Sequence, residues 1–167
     1  AGGRATVLGV NLSALQVTDA ELAARVRELA VADEAIGLVL ELTEGILLAD
    51  DGETVAALRD LQAAGTRIAI DDFGVGYSSV GYLHRLPVDI LKIDKLFVAE
   101  LHEPRSAALV QGVVAMARAL GLTVVTEGVE DWASARVLRD LGCDQAQGYL
   151  FGRPVPLDDA VHVARAG

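Results

Sequence analysis

The sequence predicts an α/β fold built from repeated strand–helix units. Short apolar runs rich in Val, Ile and Leu alternate with longer amphipathic segments, and strands buried on both faces have this composition. The units recur every 20 residues or more, a spacing typical of parallel sheets (roughly 20–35 residues). This pattern fits either an open doubly wound sheet or a (β/α) barrel, and both place their active sites at the carboxyl ends of the strands.

Six apolar runs are the predicted strands. Most of them consist of branched aliphatic residues, which suit a sheet covered on both faces. In chain order, they are Thr6–Val10, Leu38–Leu42, Arg67–Ile70, Ile90–Ile93, Leu122–Val125 and, with a weaker pattern, Cys143–Gln147.

Helical patterns lie between these strands, and most are bounded by residues that start or stop helices. Thr18 and Glu21 stand at capping-box spacing, a glycine follows three of the patterns, and Pro87 stops another. In chain order, helices are predicted over residues 18–32, 53–64, from Ser78 or Ser79 to before Pro87, over 106–120 and 131–141, and after Pro156. Trp132, at the start of one helix, is expected to pack against the fold.

Composition narrows the function. The 167 residues carry a formal net charge of −10 and contain one cysteine. This excludes a disulfide scaffold and disfavours a binder of nucleic-acid polymers, which is usually basic. No apolar run reaches the roughly 18 residues of a membrane span, and the first residues do not resemble a secretory signal. We therefore expect a single cytoplasmic domain over residues 1–167 without direct membrane contact, and the missing initiator Met suggests a piece of a longer protein.

Each predicted strand ends in polar residues, and this is the main functional signal. Any one of them alone could cap a helix or lie on the surface, but six consecutive strand ends point to a shared site. Carboxylates brought together in this way are costly unless they are paired or bound to metal. The polar residues are Asn11, Ser13, Glu41, Thr43, Glu44, Asp71, Asp72, Lys92, Asp94, Glu127, Glu130 and Gln147.

The acidic members predict a metal site. Glu41, Asp71, Asp72 and Glu127 would meet at one mouth of the fold, and such oxygen ligands suit Mg²⁺ or Mn²⁺. The adjacent pair Asp71–Asp72 suits two metal ions that share a bridging ligand. A site of this kind could bind a phosphodiester, polarise it and supply hydroxide.

In order along the chain, these segments resemble the EAL domain family of cyclic di-GMP phosphodiesterases. One motif alone would be weak support, but six in order at compatible spacing are specific, and they extend over the whole chain. The matching stretches are Val-Asn-Leu-Ser at 10–13, Glu-Leu-Thr-Glu at 41–44, Asp-Asp-Phe-Gly-Val-Gly-Tyr-Ser-Ser at 71–79, Leu-Lys-Ile-Asp at 91–94, Glu-Gly-Val-Glu at 127–130 and Gln-Gly-Tyr-Leu-Phe at 147–151.

The resemblance implies a TIM-like (β/α) barrel that hydrolyses cyclic di-GMP to linear pGpG with two Mg²⁺ or Mn²⁺ ions. Asn11, Glu41, Asp71, Asp72 and Glu127 match family metal ligands, with Asp71 bridging the two ions. Three further residues match family positions outside the metal ligands. The resemblance implies that Lys92 holds the attacking water and that Gln147 lies near that water. It also implies that Glu44 steadies the loop after the two aspartates. That loop, residues 73–79, lies near the family's dimer contact, so a homodimer is expected.

The sequence also departs from the family pattern. The Glu-Ala-Leu strand that precedes Val-Asn-Leu-Ser is not in this chain, and only about six of the eight barrel strands are expected, so the domain is predicted to be truncated at its N-terminus. We expect activity from the full-length bacterial parent, joined to sensory or diguanylate-cyclase-like domains that could also anchor it to a membrane, and weak or no activity from this chain alone. The alternative is a degenerate EAL domain that binds cyclic di-GMP or a protein without cleaving.

Overall fold

The computed structural model describes residues 6–32, 36–48, 52–74, 80–156 and 159–160. Strands and helices alternate along the chain, as the sequence predicts. In order, the elements are β1 (Thr6–Leu12), α1 (Ala14–Val17), α2 (Ala20–Ala32), β2 (Ile36–Thr43), a 3₁₀ helix (Glu44–Leu48), α3 (Gly52–Ala63), β3 (Arg67–Phe73), α4 (Val80–Leu83), β4 (Ile90–Ile93), α5 (Lys95–Ala99), α6 (Pro104–Ala119), β5 (Thr123–Thr126), α7 (Trp132–Leu141) and β6 (Gln145–Ala146).

The strand order decides between the two predicted architectures. All neighbouring strands are parallel and follow one another in sequence order from β1 to β6. A doubly wound sheet reverses its strand order at a switch point, and no reversal occurs among the described strands. The sheet is therefore a six-stranded part of a TIM-like barrel, with helices on its outer face.

Some predicted boundaries need correction. The helix predicted from Thr18 begins at Ala20, and the carboxylate of Asp19 accepts hydrogen bonds from the backbone of Glu21 and Leu22. Asp19 therefore does the capping that the sequence analysis gave to Thr18. The predicted helix start at Ser78 or Ser79 lies outside the described residues, and of the helix after Pro156 the structure describes only residues 159 and 160.

The two faces of the sheet have different compositions. The outer face supplies Leu38, Leu40 and Leu42 of β2, and equivalent aliphatic residues of β3 to β5, to a large core shared with the helices. Alternate residues point to the opposite face. There a small apolar layer, formed by Val39, Ala69, Ile90 and Val125, crosses four strands. Continuing two residues along each of these strands leads to Glu41, Asp71, Lys92 and Glu127, so the inner face changes from apolar to charged at its carboxyl edge.

Two aspartates hold the strands together at their amino ends, opposite the charged layer. Asp89, just before β4, accepts hydrogen bonds of 2.8 Å from the Ile68 amide and from Gln62 Nε2. Asp144, just before β6, accepts one of 2.8 Å from the Val124 amide. Each satisfies a backbone donor at the start of a neighbouring strand, which would otherwise have no partner within the sheet. Among the described residues, no helix is both long and apolar enough to cross a membrane.

Candidate metal and catalytic site

The candidate site lies where β2, β3, β4 and β5 end. In β3 the pairing register with β4 shifts between Ile70 and Phe73, and Asp72, within that shift, has a positive φ of 54°. Aspartate tolerates this conformation better than most residues because its short side chain can bond locally. A register shift of this kind changes the direction of side chains at a strand end, and here it affects the two adjacent aspartates.

Lys92 is the centre of the charged layer. Its Nζ lies 2.7 Å from Glu41 Oε2, 3.0 Å from Asp71 Oδ1 and 2.5 Å from Glu127 Oε1. The lysine is only 4% exposed, and the three carboxylate side chains are 15–19% exposed. One ammonium therefore faces three carboxylates in a poorly solvated space, so the cluster has a net negative charge.

The pKa shifts reflect this imbalance. Burial alone would lower the pKa of Lys92, but its hydrogen bonds to Glu127, Glu41 and Asp71 outweigh burial and hold the pKa above its ordinary value. Burial raises the pKa of Glu127, and the hydrogen bond and charge of Lys92 offset this only in part. Lys92 is thus a firmly protonated cation, while Glu127 is a carboxylate that gains from additional positive charge.

A group of three carboxylates offers room for a metal ion. One oxygen each from Asp71, Asp72 and Glu127 lies within 4.8 Å of the others. Burial raises the pKa of Asp72, and the charge of Asp71 and a hydrogen bond with Asp94 raise it further. Hard carboxylate oxygens in this arrangement suit a divalent cation such as Mg²⁺ or Mn²⁺, and bound positive charge would relieve the repulsion among them.

The structure places the other predicted site residues around this group. Gln147 donates from Nε2 to Glu127 Oε1 at 2.6 Å. Glu44 Oε2 accepts a hydrogen bond of 3.1 Å from the amide of Gly74, two residues after Asp72. Asn11 lies opposite Glu41 in the register of β1 and β2 and is exposed. The predicted dimer loop falls mostly in residues 75–79, outside the described residues.

Asp94 lies at a predicted strand end but has no role predicted from the sequence. Asp94 is 6% exposed, caps α5 by accepting a 2.8 Å hydrogen bond from the Leu96 amide, and bonds the side chain of Asp72. Its position directly after the β4 strand was the available signal. A pocket of about 660 Å³ opens beside Glu127 and Gln147 and continues along Gly148, Tyr149 and residues 151–154, so these two residues of the site are accessible to a ligand.

A match to a known family model shows which family this chain belongs to. The model of the EAL domain family matches residues 2–154, nearly the whole chain. The chain belongs to the EAL domain family. This confirms the family resemblance that the six motifs indicate, and the six-stranded sheet agrees with the barrel of EAL domains.

Relatives and solved structures support the assignment. The chain is 46% identical over 154 residues to the bifunctional diguanylate cyclase/cyclic di-GMP phosphodiesterase MucR of Pseudomonas aeruginosa, a match that includes 90% of this chain and 22% of MucR. The structure of the MucR phosphodiesterase in complex with c-di-GMP is similar, with a TM-score of 0.79 and 44% identity over 91% of this chain and 63% of that one. The EAL domain of Mycobacterium smegmatis DcpA has a TM-score of 0.89 and 38% identity, over 99% of this chain and 75% of that domain.

This EAL chain is short beside its relatives. It spans about a fifth of the length of curated relatives such as MucR. The relatives therefore contain much that this chain does not, and their activities are properties of larger proteins.

Proposed function

We propose that this EAL chain provides the catalytic residues for metal-dependent hydrolysis of cyclic di-GMP to linear pGpG. The observation that carries the proposal is the carboxylate group around Lys92, at the carboxyl edge of a TIM-like sheet. The relative MucR is a bifunctional diguanylate cyclase/cyclic di-GMP phosphodiesterase, and the structure of its phosphodiesterase is a complex with c-di-GMP. This relative indicates the substrate class.

The donor set fits two divalent cations. Asp71, Asp72 and Glu127 would hold them, together with Glu41 and Asn11. Bound Mg²⁺ or Mn²⁺ would neutralise charge on the phosphodiester and lower the pKa of an attacking water. A protein with a net charge of −10 needs such cations in order to bind a substrate that carries two phosphodiester charges.

The remaining residues would orient the reaction. Lys92, held by three carboxylates, keeps a fixed positive charge in the site, and this charge favours the deprotonated form of a nearby water. Gln147 fixes one oxygen of Glu127 through its amide, which leaves the other oxygen of that carboxylate available. Glu44 holds the backbone after Asp72 and thereby limits movement of the two aspartates.

The proposal is tested by the rate of cyclic di-GMP hydrolysis in the natural full-length protein. Asp71→Asn removes a charge from a proposed metal ligand and is expected to lower kcat by at least about a hundredfold, the scale of losing a metal-supported or acid–base contribution. The matched control is Asp140→Asn, an exposed aspartate of α7 whose side chain is 73% exposed. It should leave kcat within about twofold, since surface substitutions rarely disturb a distant site.

Three results would separate the possibilities. Formation of pGpG that needs Asp71 supports the proposal. Tight binding of cyclic di-GMP without cleavage by the unsubstituted, metal-loaded protein would replace it with a binding function. Equal activity of Asp71→Asn and Asp140→Asn would remove the cluster from the reaction.

A further inference from the structure

The segment Gln147–Phe151, here named the β6 loop, is attached to the backbone of Val129. The Val129 amide donates to the Gln147 carbonyl at 3.0 Å, and the Leu150 amide donates to the Val129 carbonyl at 3.1 Å. Val129 itself is fully buried. The β6 loop is therefore fixed to the segment that follows β5, even though the regular pairing of the two strands ends at Ala146.

Gly148 makes this close approach possible. A methyl group at position 148 would overlap both the backbone nitrogen and the carbonyl oxygen of Val129. The φ of Gly148 is +156°, a value that side chains on L-residues disfavour. Any larger residue must push the β6 loop away from Val129 or change the course of one of the two backbones.

A second contact holds the far end of the β6 loop. The ring of Phe151 meets the ring of Trp132 edge to face, with 6.2 Å between centroids and an interplanar angle of 82°, a favoured aromatic geometry. Trp132 is the first residue of α7, whose start is fixed by hydrogen bonds from Ala133 and Ser134 to Asp131. At 64% exposure, Trp132 contributes little to the core, contrary to the packing predicted from sequence, and its described ring contact is with the β6 loop.

These two contacts bear on the site because the β6 loop begins with Gln147. The Gln147 amide donates to the Thr126 carbonyl at 2.8 Å, and its side chain donates to Glu127. We propose that Gly148 and Trp132 are positioning residues, which clamp the β6 loop at both ends and so keep Gln147 on Glu127. This inference rests on the proposed phosphodiesterase function for its kinetic part only.

The experiment compares two variants with matched controls in the natural full-length protein. Trp132→Ala is expected to lower kcat by about three- to tenfold and Gly148→Ala by about tenfold or more, because small misplacements of a reacting group have effects of this order. KM of Trp132→Ala should stay within about twofold, since Trp132 does not line the pocket beside Glu127. Trp132→Phe keeps an aromatic edge and should restore kcat. The controls are Leu29→Ala, an equally exposed apolar residue of α2, and Gly112→Ala, where a methyl meets no atom within 4 Å.

Amide hydrogen exchange gives a readout that does not depend on activity. Exchange at the Val129 and Leu150 amides should accelerate in Trp132→Ala and Gly148→Ala, and stay unchanged in both controls. If Gly148→Ala does not fold, the exposed Trp132 variants decide the matter. Unchanged kcat in Trp132→Ala, or a rise in KM that Trp132→Phe does not reverse, would overturn the inference. If the unsubstituted protein shows no hydrolysis, the proposed function fails, and the clamp stands or falls on the exchange rates alone.

Discussion

Lys92 offers the sharpest test of the electrostatic account. In the protein without metal, its ammonium is the positive charge that lies among Glu41, Asp71 and Glu127, at 2.5–3.0 Å from each. Replacing it with methionine keeps most of the side-chain volume but leaves three poorly solvated carboxylates facing one another. Removing one partner from a buried ionic cluster destabilises a protein by about 3–5 kcal/mol.

For a chain of this size each kcal/mol lowers Tm by about 2–4 °C, so Lys92→Met should lower the Tm of the chain in EDTA by roughly 6–20 °C. Divalent cations should restore much of this loss, because they supply the charge that the lysine provided. The rise in Tm on adding Mn²⁺ should therefore be larger for Lys92→Met than for the unsubstituted chain.

The assay is a thermal melt followed by circular dichroism, with EDTA or with Mn²⁺. Lys95→Met is the matched control, because Lys95 is the other lysine of the chain and is exposed. It should change Tm little under either condition. A Lys92→Met protein that melts with the unsubstituted chain in EDTA, or that gains no more from Mn²⁺ than the unsubstituted chain does, would refute the reasoning.

Other contacts lead to three further expectations. Because the pKa of Glu127 is raised in the folded protein, its ionisation destabilises the metal-free fold as pH rises above its ordinary pKa of about 4.5. Glu127→Gln should therefore flatten the fall in Tm with rising pH measured in EDTA, and parallel curves for the two proteins would contradict this. Asp89→Ala removes the acceptor for the Ile68 amide and Gln62 and should lower the free energy of unfolding in urea by about 1–3 kcal/mol; no loss would mean that water replaces it. Glu44→Ala should accelerate amide exchange at Gly74, and unchanged exchange would show that Glu44 does not hold that loop.

The sequence predicts the repeating architecture well because each strand has a strong signal of its own. Leu38, Leu40 and Leu42 alternate with Val39 and Glu41, so the outer and inner faces of β2 can be assigned from the pattern. Short elements carry no comparable signal. Helices of four or five residues, such as α1 and α5, are too brief for an amphipathic repeat, and β6 is a strand of two residues.

The candidate site is predictable in its membership but not in its contacts. Polar residues at consecutive strand ends indicate a shared edge, and the structure brings Glu41, Asp71 and Glu127 together on Lys92. That a single lysine bonds all three depends on the curvature of the sheet, which local patterns do not contain. Trp132 illustrates the same limit, since its ring contacts Phe151, nineteen residues further along the chain.

The most direct measurement is the conversion of cyclic di-GMP by the natural full-length protein, separated by chromatography, with Mg²⁺ or Mn²⁺ and with EDTA. The account predicts that linear pGpG accumulates with either cation and that its formation stops in EDTA and returns when the cation is restored. Conversion that continues unchanged in EDTA, or a folded and metal-saturated protein that leaves cyclic di-GMP intact, would contradict the central claim that this carboxylate cluster hydrolyses the dinucleotide with divalent metal.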